Sequence, residues 1–220
     1  MNDASFDAPD MARRILRSAA TASLGTLTTD GGPFVTFVTV ATDIDGAPLI
    51  LVSGLAAHTR HLSRDDRASL LLQAPAGADE DPLTGARLTL VGRFRSMAGD
   101  EGALARLLKR FLARHPEAKG YAGFGDFALH RMVVEGGHLV AGFGRIARLS
   151  ANDLLVAPAQ AEAFALAEAS LIETLGDAEP RPVAIDPDGI DVADNGIRRV
   201  CFSRRADAPG EVAALMAELG

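Results

Sequence analysis

Residues 50–72 read Ile-Leu-Val-Ser-Gly-Leu-Ala-Ala-His-Thr-Arg-His-Leu-Ser-Arg-Asp-Asp-Arg-Ala-Ser-Leu-Leu-Leu. An apolar run ends at Ser53-Gly54, a short helix carries His58, Thr59 and Arg60 in its first turns, and Arg67 leads into a second apolar run. The pattern is strand, helix, strand. A helix N-terminus leaves backbone N–H groups unsatisfied, so with hydroxyl and basic side chains beside it this segment is a candidate anion site, suited to a phosphate. The alternative is structural only: Ser53 or Gly54 caps a short helix. On an ideal helix wheel begun at Leu55, His58 and Thr59 flank the apolar face made with Leu62, while Arg60 and His61 point away from it.

Outward from this segment the chain reads as short strands with hairpin turns. A helix is expected over 10–20, a strand over 23–28 and a turn at Asp30-Gly31-Gly32-Pro33. A β-branched and aromatic run at 34–42 follows, apolar on both faces and so expected to be covered on both. Residues 49–52 pair back as a hairpin, a helix spans 56–63, and a strand spans 68–73. Residues 74–86, with two prolines and two glycines, read as a projecting loop. From 87 to 97 the period is two, with Gly92 as a possible bulge, and 100–114 has a helical stripe ended by His115-Pro116. Strands at 126–134 and 138–143 are expected to join through a tight Gly136-Gly137 hairpin.

The predicted fold class is therefore α+β: an antiparallel split β-barrel with flanking helices over 1–147, followed by a small C-terminal α+β domain over 148–220. The second unit has a helix over 159–175, strands at 183–186, 189–192 and 197–203, and a closing helix over 210–219.

Composition bounds the function classes. With 48% hydrophobic residues in 220 the chain can bury a substantial core. The sequence shows no apolar run of membrane-spanning length and no signal-peptide pattern, so a cytoplasmic protein without a membrane partner is expected. The net charge of −7 argues against nucleic acid. Arg106, Lys109, Arg110 and Arg114 form a local basic group, read as a solvated helix face. Cys201, the single cysteine, permits no intrachain disulfide and reads as an inert core thiol. His58 and His61 make an H-x-x-H pair with Asp65 four residues on, but the imidazoles diverge on the wheel, so no metal site is assigned. Gly142-Phe-Gly144-Arg-Ile-Ala147 fits G-x-G-x-x-A formally, yet no βαβ unit surrounds it; a glycine-hinged exit from the barrel is expected instead.

In their order and spacing over residues 21–145, these segments resemble the FMN-binding split barrel of the pyridoxamine 5′-phosphate oxidase superfamily, and more closely its heme-utilisation (HugZ-type) branch. The resemblance rests on residues 33–40, Ser53-Gly-Leu-Ala-Ala-His58-Thr59-Arg60, residues 66–72, residues 85–92, His115-Pro-Glu and Gly142-Phe-Gly144-Arg145. The C-terminal module, with residues 183–191 and 197–202, resembles the small domain that often follows the barrel in this branch. The resemblance implies a homodimer with FMN at each end of the subunit interface. It places Val35, Thr36, Phe37 and Val38 along the isoalloxazine, gathers Ser53, His58, Thr59 and Arg60 about the phosphate, and puts Arg87 where a polar strand residue meets the cofactor. Arg145 is the candidate for an anionic small-molecule substrate. Val35 and Val40 stand where arginine or lysine is expected beside the flavin, which argues against a pyridoxamine-phosphate oxidase in the strict sense.

Three functions follow from this reading. The first is an FMN-dependent oxidoreductase in which the cofactor does the chemistry. The alternative is a heme-binding protein; no histidine follows His138, so its axial ligand must be His58, His61, His115, His130 or His138. The third is a cofactor-free dimeric binding module.

Overall fold

The computed structural model describes residues 6–74, 85–142, 144–176 and 179–218. The predicted projecting loop lies mostly outside them. Chain order runs α1 (Ala8–Ser18), β1 (Thr21–Leu27), β2 (Pro33–Thr39), β3 (Ala41–Thr42), β4 (Pro48–Ser53), α2 (Ala57–Leu62), β5 (Arg67–Gln73), β6 (Arg87–Ser96) and α3 (Glu101–Arg114). It continues with β7 (Phe127–Val140), β8 (Ile146–Ser150), α4 (Ala151–Leu154), α5 (Pro158–Thr174), β9 (Arg181–Asp186), β10 (Gly189–Ala193), β11 (Ile197–Cys201) and α6 (Val212–Ala217).

Among the described residues the first eight strands form one antiparallel sheet in the order β2-β1-β5-β6-β7-β4-β3, with β8 paired to β7; β11-β10-β9 form a second. The larger sheet curls into a split barrel. Leu24, Ile50, Leu70, Leu72, Leu88, Leu90 and Met132 fill its concave side, and Ile15 and Leu16 of α1 close it. Burying each such side chain is worth about 1.5–3 kcal/mol. A second apolar cluster, with Phe111 and Leu107 of α3 against Leu49 and Leu129, sits beneath β4 and β7.

Three strand expectations are corrected. The run at 34–42 is divided between β2 and β3, and β2 is an edge strand whose outer face stands open: Val35 is 66% and Phe37 73% exposed. Its apolar residues occupy both faces, but one chain covers only the inner one. The Gly136-Gly137 pair is not a hairpin; β7 runs through it without a break. Its glycines serve close approach instead, since a Cβ on Gly136 would lie 2.9 Å from the Leu149 carbonyl oxygen of β8. Gly142 and Gly144, both at positive φ, turn the chain back into β8 as a hairpin rather than releasing it from the barrel. The Gly92 bulge is present, at the register shift between Val91 and Gly92, where a Cβ would sit 2.2 Å from the Val133 carbonyl oxygen.

The basic group on α3 is also corrected. Arg110 and Arg114 are buried, and Arg106 pairs with Asp43 at 2.6 Å. Helix α3 lies between the barrel and the C-terminal residues, so its polar face meets carboxylates rather than water. Arg110 donates to the Ile185 carbonyl at 2.9 Å and also engages Glu168, while Arg114 reaches Asp191 at 3.3 Å. Cys201 is half-buried at the end of β11 rather than in a core.

Arg17 is the centre of this seam. Its guanidinium donates to the Asp43 and Ile44 carbonyls at 2.6 and 2.7 Å and to the Asp188 carboxylate at 3.0 Å, with Asp186 at 3.5 Å. Ile44, carried on the β3–β4 turn, inserts into the cluster of Phe164, Ile185, Ile190 and Phe202. Helices α4 and α5 span Ala151–Thr174, long and apolar enough by length and composition alone to cross a bilayer, a run the sequence reading passed over. Leu154 ties it to the barrel core and Phe164 to the C-terminal one.

Burial works to raise the Asp186 carboxyl, but Arg17, Arg199 and Arg110 outweigh it and hold the group well below the usual carboxylate range. A depressed folded-state pKa gives stability that is fully present above the unfolded value, about 4, and is lost as pH falls below it. Asp186→Ala leaves buried guanidinium groups unpaired and is expected to cost about 3–5 kcal/mol, measured by urea denaturation at pH 7, with a smaller loss at pH 3. A loss under 1 kcal/mol at pH 7 would refute the role of the seam.

Candidate functional site

Helix α2 lies across one end of the barrel. It begins at Ala57 with Ala56 as N-cap and no side-chain cap, so neither Ser53 nor Gly54 caps it. Ser53 ends β4 instead. Its hydroxyl donates to the Asp126 carboxylate at 2.7 Å and accepts from the Leu55 N–H at 3.1 Å, while the Gly54 N–H donates to the Asp126 carbonyl at 2.6 Å. Thr59 Oγ1 donates to the Ser53 carbonyl at 2.6 Å, and Arg60 donates to the Leu55 carbonyl at 2.7 Å. The hydroxyls expected at a phosphate thus brace the β4–α2 turn. A carboxylate stands beside one of them, and that opposes an anion there.

The imidazoles of α2 turn toward the sheet. His58 Nδ1 is 3.0 Å from Thr36 Oγ1 on β2, as the wheel predicts. His61 corrects it: Nδ1 is 3.0 Å from Thr26 Oγ1 on β1, and the ring meets Phe34 edge-on at 5.1 Å. The curled sheet covers two sides of this short helix, Leu62 entering the barrel core while His58 and His61 meet β1 and β2. Their spacing of three residues was the available signal, because residues three apart are neighbours on a helix. His130 on β7, opposite Ile50, is buried near them.

Burial lowers the His58 pKa below its usual value, and the charges of His61 and His130 lower it further. Burial lowers His130 as well, against its contact with the Ala128 carbonyl. Both imidazoles therefore favour the neutral, ligating form at neutral pH. Two hollows flank the group. One, about 300 Å³, has Phe34, Val35 and Ala68 in its wall and Arg67 at its edge. The other, about 540 Å³, has Leu62, Phe94 and His130 with Arg64, Asp65 and Asp66, the last paired with Arg93 and Arg95 at 2.7 and 2.6 Å.

The remaining predicted residues are spread out. Thr36 and Val38 face inward, while Val35 and Phe37 point out from the sheet. Arg87 opens β6, opposite Gln73, and donates to the Gly85 carbonyl at 3.3 Å. Arg145 sits in the β7–β8 turn with its guanidinium 6.0 Å from the centre of the Phe6 ring. Thr26, Phe34 and Asp126 belong to the site by geometry and are absent from the sequence-based set; His130 enters that set only as one of five candidate axial ligands.

The model of the CREG β-barrel family matches residues 4–155. The chain belongs to this family. Atu2129 of Agrobacterium tumefaciens, a protein of unknown function, is 30% identical and superposes with a TM-score of 0.80 over 98% of this chain and 96% of that one. A protein described as heme-binding, from Mycobacterium smegmatis, is 31% identical over 96% of this chain and 95% of its own, with a TM-score of 0.62. The non-canonical heme oxygenase HOZ of Arabidopsis thaliana chloroplasts is 36% identical over 103 residues. That match takes in 47% of this chain and 30% of the plant protein, so the chain spans about a third of that curated relative. The family, the split-barrel fold and the likeness to its heme-utilisation branch, all read from the sequence, are thus borne out.

Because the folded His58 and His130 pKa values are lowered, the unfolded chain takes up more protons as pH falls below the ordinary value of 6.5. Stability from these groups is complete above that pH and declines below it. Titration followed by NMR should place both imidazoles below 6.5. In His58→Gln, the loss of stability between pH 7 and pH 5.5 should shrink; an unchanged loss would remove the burial argument.

Proposed function

We propose that the chain is a heme-binding protein of the split-barrel type, with heme held beside α2 and His58 as the iron ligand. The observation that carries this reading is the gathering of His58, His61 and His130 at one end of the barrel, where the charges of His61 and His130 bear on His58 and Phe34 of β2 packs against His61. A heme needs an apolar surface for its macrocycle, a neutral imidazole for its iron and cations for its propionates. Phe34 and Ala68 offer apolar surface and Arg64 offers charge, while Arg67 is already paired with Asp65 at 2.5 Å. The second nitrogen of a ligating histidine is usually fixed by a hydrogen bond. His58 fits that requirement: when Nδ1 donates to Thr36, the Nε2 lone pair is left for iron. The heme-binding relative matched over nearly its whole length supports the same reading.

Bound heme supplies redox-active iron; the protein's part is to place that iron, keep His58 neutral and shield one face from water. FMN remains the second reading. It is favoured by Arg60, exposed in the last turn of α2, and by the apolar residues along β2 that would lie on an isoalloxazine. Against it stand the hydroxyls already engaged within the β4–α2 turn and the neighbouring Asp126. A flavin-dependent oxidoreductase acting on a small substrate belongs to that reading.

The outer sheet face completes the proposal. Val35 and Val91 share one cross-strand row through Gly25 and Ser69, and Phe37 and Leu71 share the next through Ser23, all four apolar side chains being exposed. A second copy of the chain is the proposed occupant, since self-association would cover this surface and bring Arg87 of one protomer toward the other.

Hemin titration of the purified protein should give a Soret band shifted from that of free hemin and retained on desalting. His58→Ala should abolish the shift or weaken binding by at least tenfold, about 1.4 kcal/mol, while His138→Ala should not. Retained flavin absorbance after FMN, with no retained Soret band after hemin, would replace this reading by the second. In sedimentation, the protein should run as a dimer and Phe37→Glu as a monomer; an unchanged dimer would place the interface elsewhere.

A further inference from the structure

Helices α3 and α5 diverge over the ends of β9, β10 and β11. Between them lies an open groove of about 870 Å³. Its walls are aliphatic: Leu108 and Leu112 from α3, Ile172 from α5, Val183 from β9 and Ile197 from β11, each half-buried. The charged side chains in its lining are Lys109, Lys119 and Arg181, all exposed, and among the described residues no acidic one lines it. This runs against the chain as a whole, whose net charge is −7. Elsewhere on the same helix the cations are matched: Arg106 by Asp43, Arg110 by Glu168 and Asp186, Arg114 by Asp191. Helix α3 therefore turns neutralised arginines toward the protein interior and leaves Lys109 over an apolar trough.

We propose that this groove is a binding site for a single-chain anionic amphiphile, an aliphatic tail with a carboxylate head. The volume lies within the range of small-molecule sites, and aliphatic walls with few polar groups suit an acyl chain. Cations confined to the rim suit a head that remains in water, where an ammonium or guanidinium gains from a carboxylate without being desolvated. No histidine lies in the groove, which separates it from the proposed iron site. The groove is also independent of the heme reading, because it shares no residue with the hollows at α2.

The test uses dodecanoate, with dodecyltrimethylammonium and dodecanol as charge controls, in calorimetric titrations of the full chain. Dodecanoate should bind one per chain, at least tenfold more tightly than the cationic analogue, with dodecanol between them. Combined Lys109→Glu, Lys119→Glu and Arg181→Glu substitutions should reverse the order of the two charged probes, and Ile172→Trp, which fills the trough, should weaken all three. Circular dichroism confirms that each variant is folded, and hemin titration of the same variants should be unchanged. Equal affinity for the two charged probes, or dodecanoate binding insensitive to both sets of substitutions, would overturn the proposal. So would tight binding of an acidic amphipathic peptide without binding of dodecanoate.

Discussion

The structure depends on one buried guanidinium. Arg17 stands at the end of α1 and is almost entirely removed from solvent, yet it touches the β3–β4 turn and the β9–β10 turn at once. A buried cation is tolerated only when its donors are satisfied, and here two backbone carbonyls and two carboxylates satisfy them. Asp186 in turn takes Arg199 at 2.6 Å, and Arg110 closes the set from α3. Removing any one member strands the others. The barrel and the C-terminal sheet are thereby fixed to each other by charge as well as by Ile44, the apolar side chain that crosses between their cores.

That fixed frame leaves two surfaces with unspent chemistry. At one end of the barrel, α2 presents its imidazoles to β1 and β2, where burial and the charges of His61 and His130 lower the His58 pKa and favour its neutral form. At the seam between α3 and the C-terminal sheet, apolar walls and a cationic rim form a groove. Both arise from the same geometry. A split barrel cannot close its edge strand on itself, and a helix wedged between two sheets can bury only part of its circumference.

Sequence patterning carried far in this protein because the barrel core is built from strands of period two. Residues 87–97, with Leu88, Leu90 and Phe94 alternating against polar neighbours, fold as read, and so does the Gly92 bulge. The candidate site was legible in part. The segment from Ser53 to Arg60 was found, and His58 lies where the helix wheel places it. His61 was misplaced because a wheel assumes a single buried face, whereas the curled sheet covers two. Asp126 was invisible as a site residue and His130 was one candidate histidine among five, since only pairing between β4 and β7 brings positions some seventy residues downstream to α2.

The sequence by itself determined most of the elements, the antiparallel barrel and the family, because hydrophobic period, turn residues and segment spacing are local properties written along the chain. Tertiary structure alone decided what the charges do. Arg17, Arg110 and Arg114 look like solvated side chains in a linear reading, and only the packing of α1 and α3 against the C-terminal residues brings them within reach of Asp186, Asp188 and Asp191. Tertiary structure likewise decided that Val35 and Phe37 stay exposed, since whether an apolar strand is covered depends on its place at the sheet edge and not on its composition.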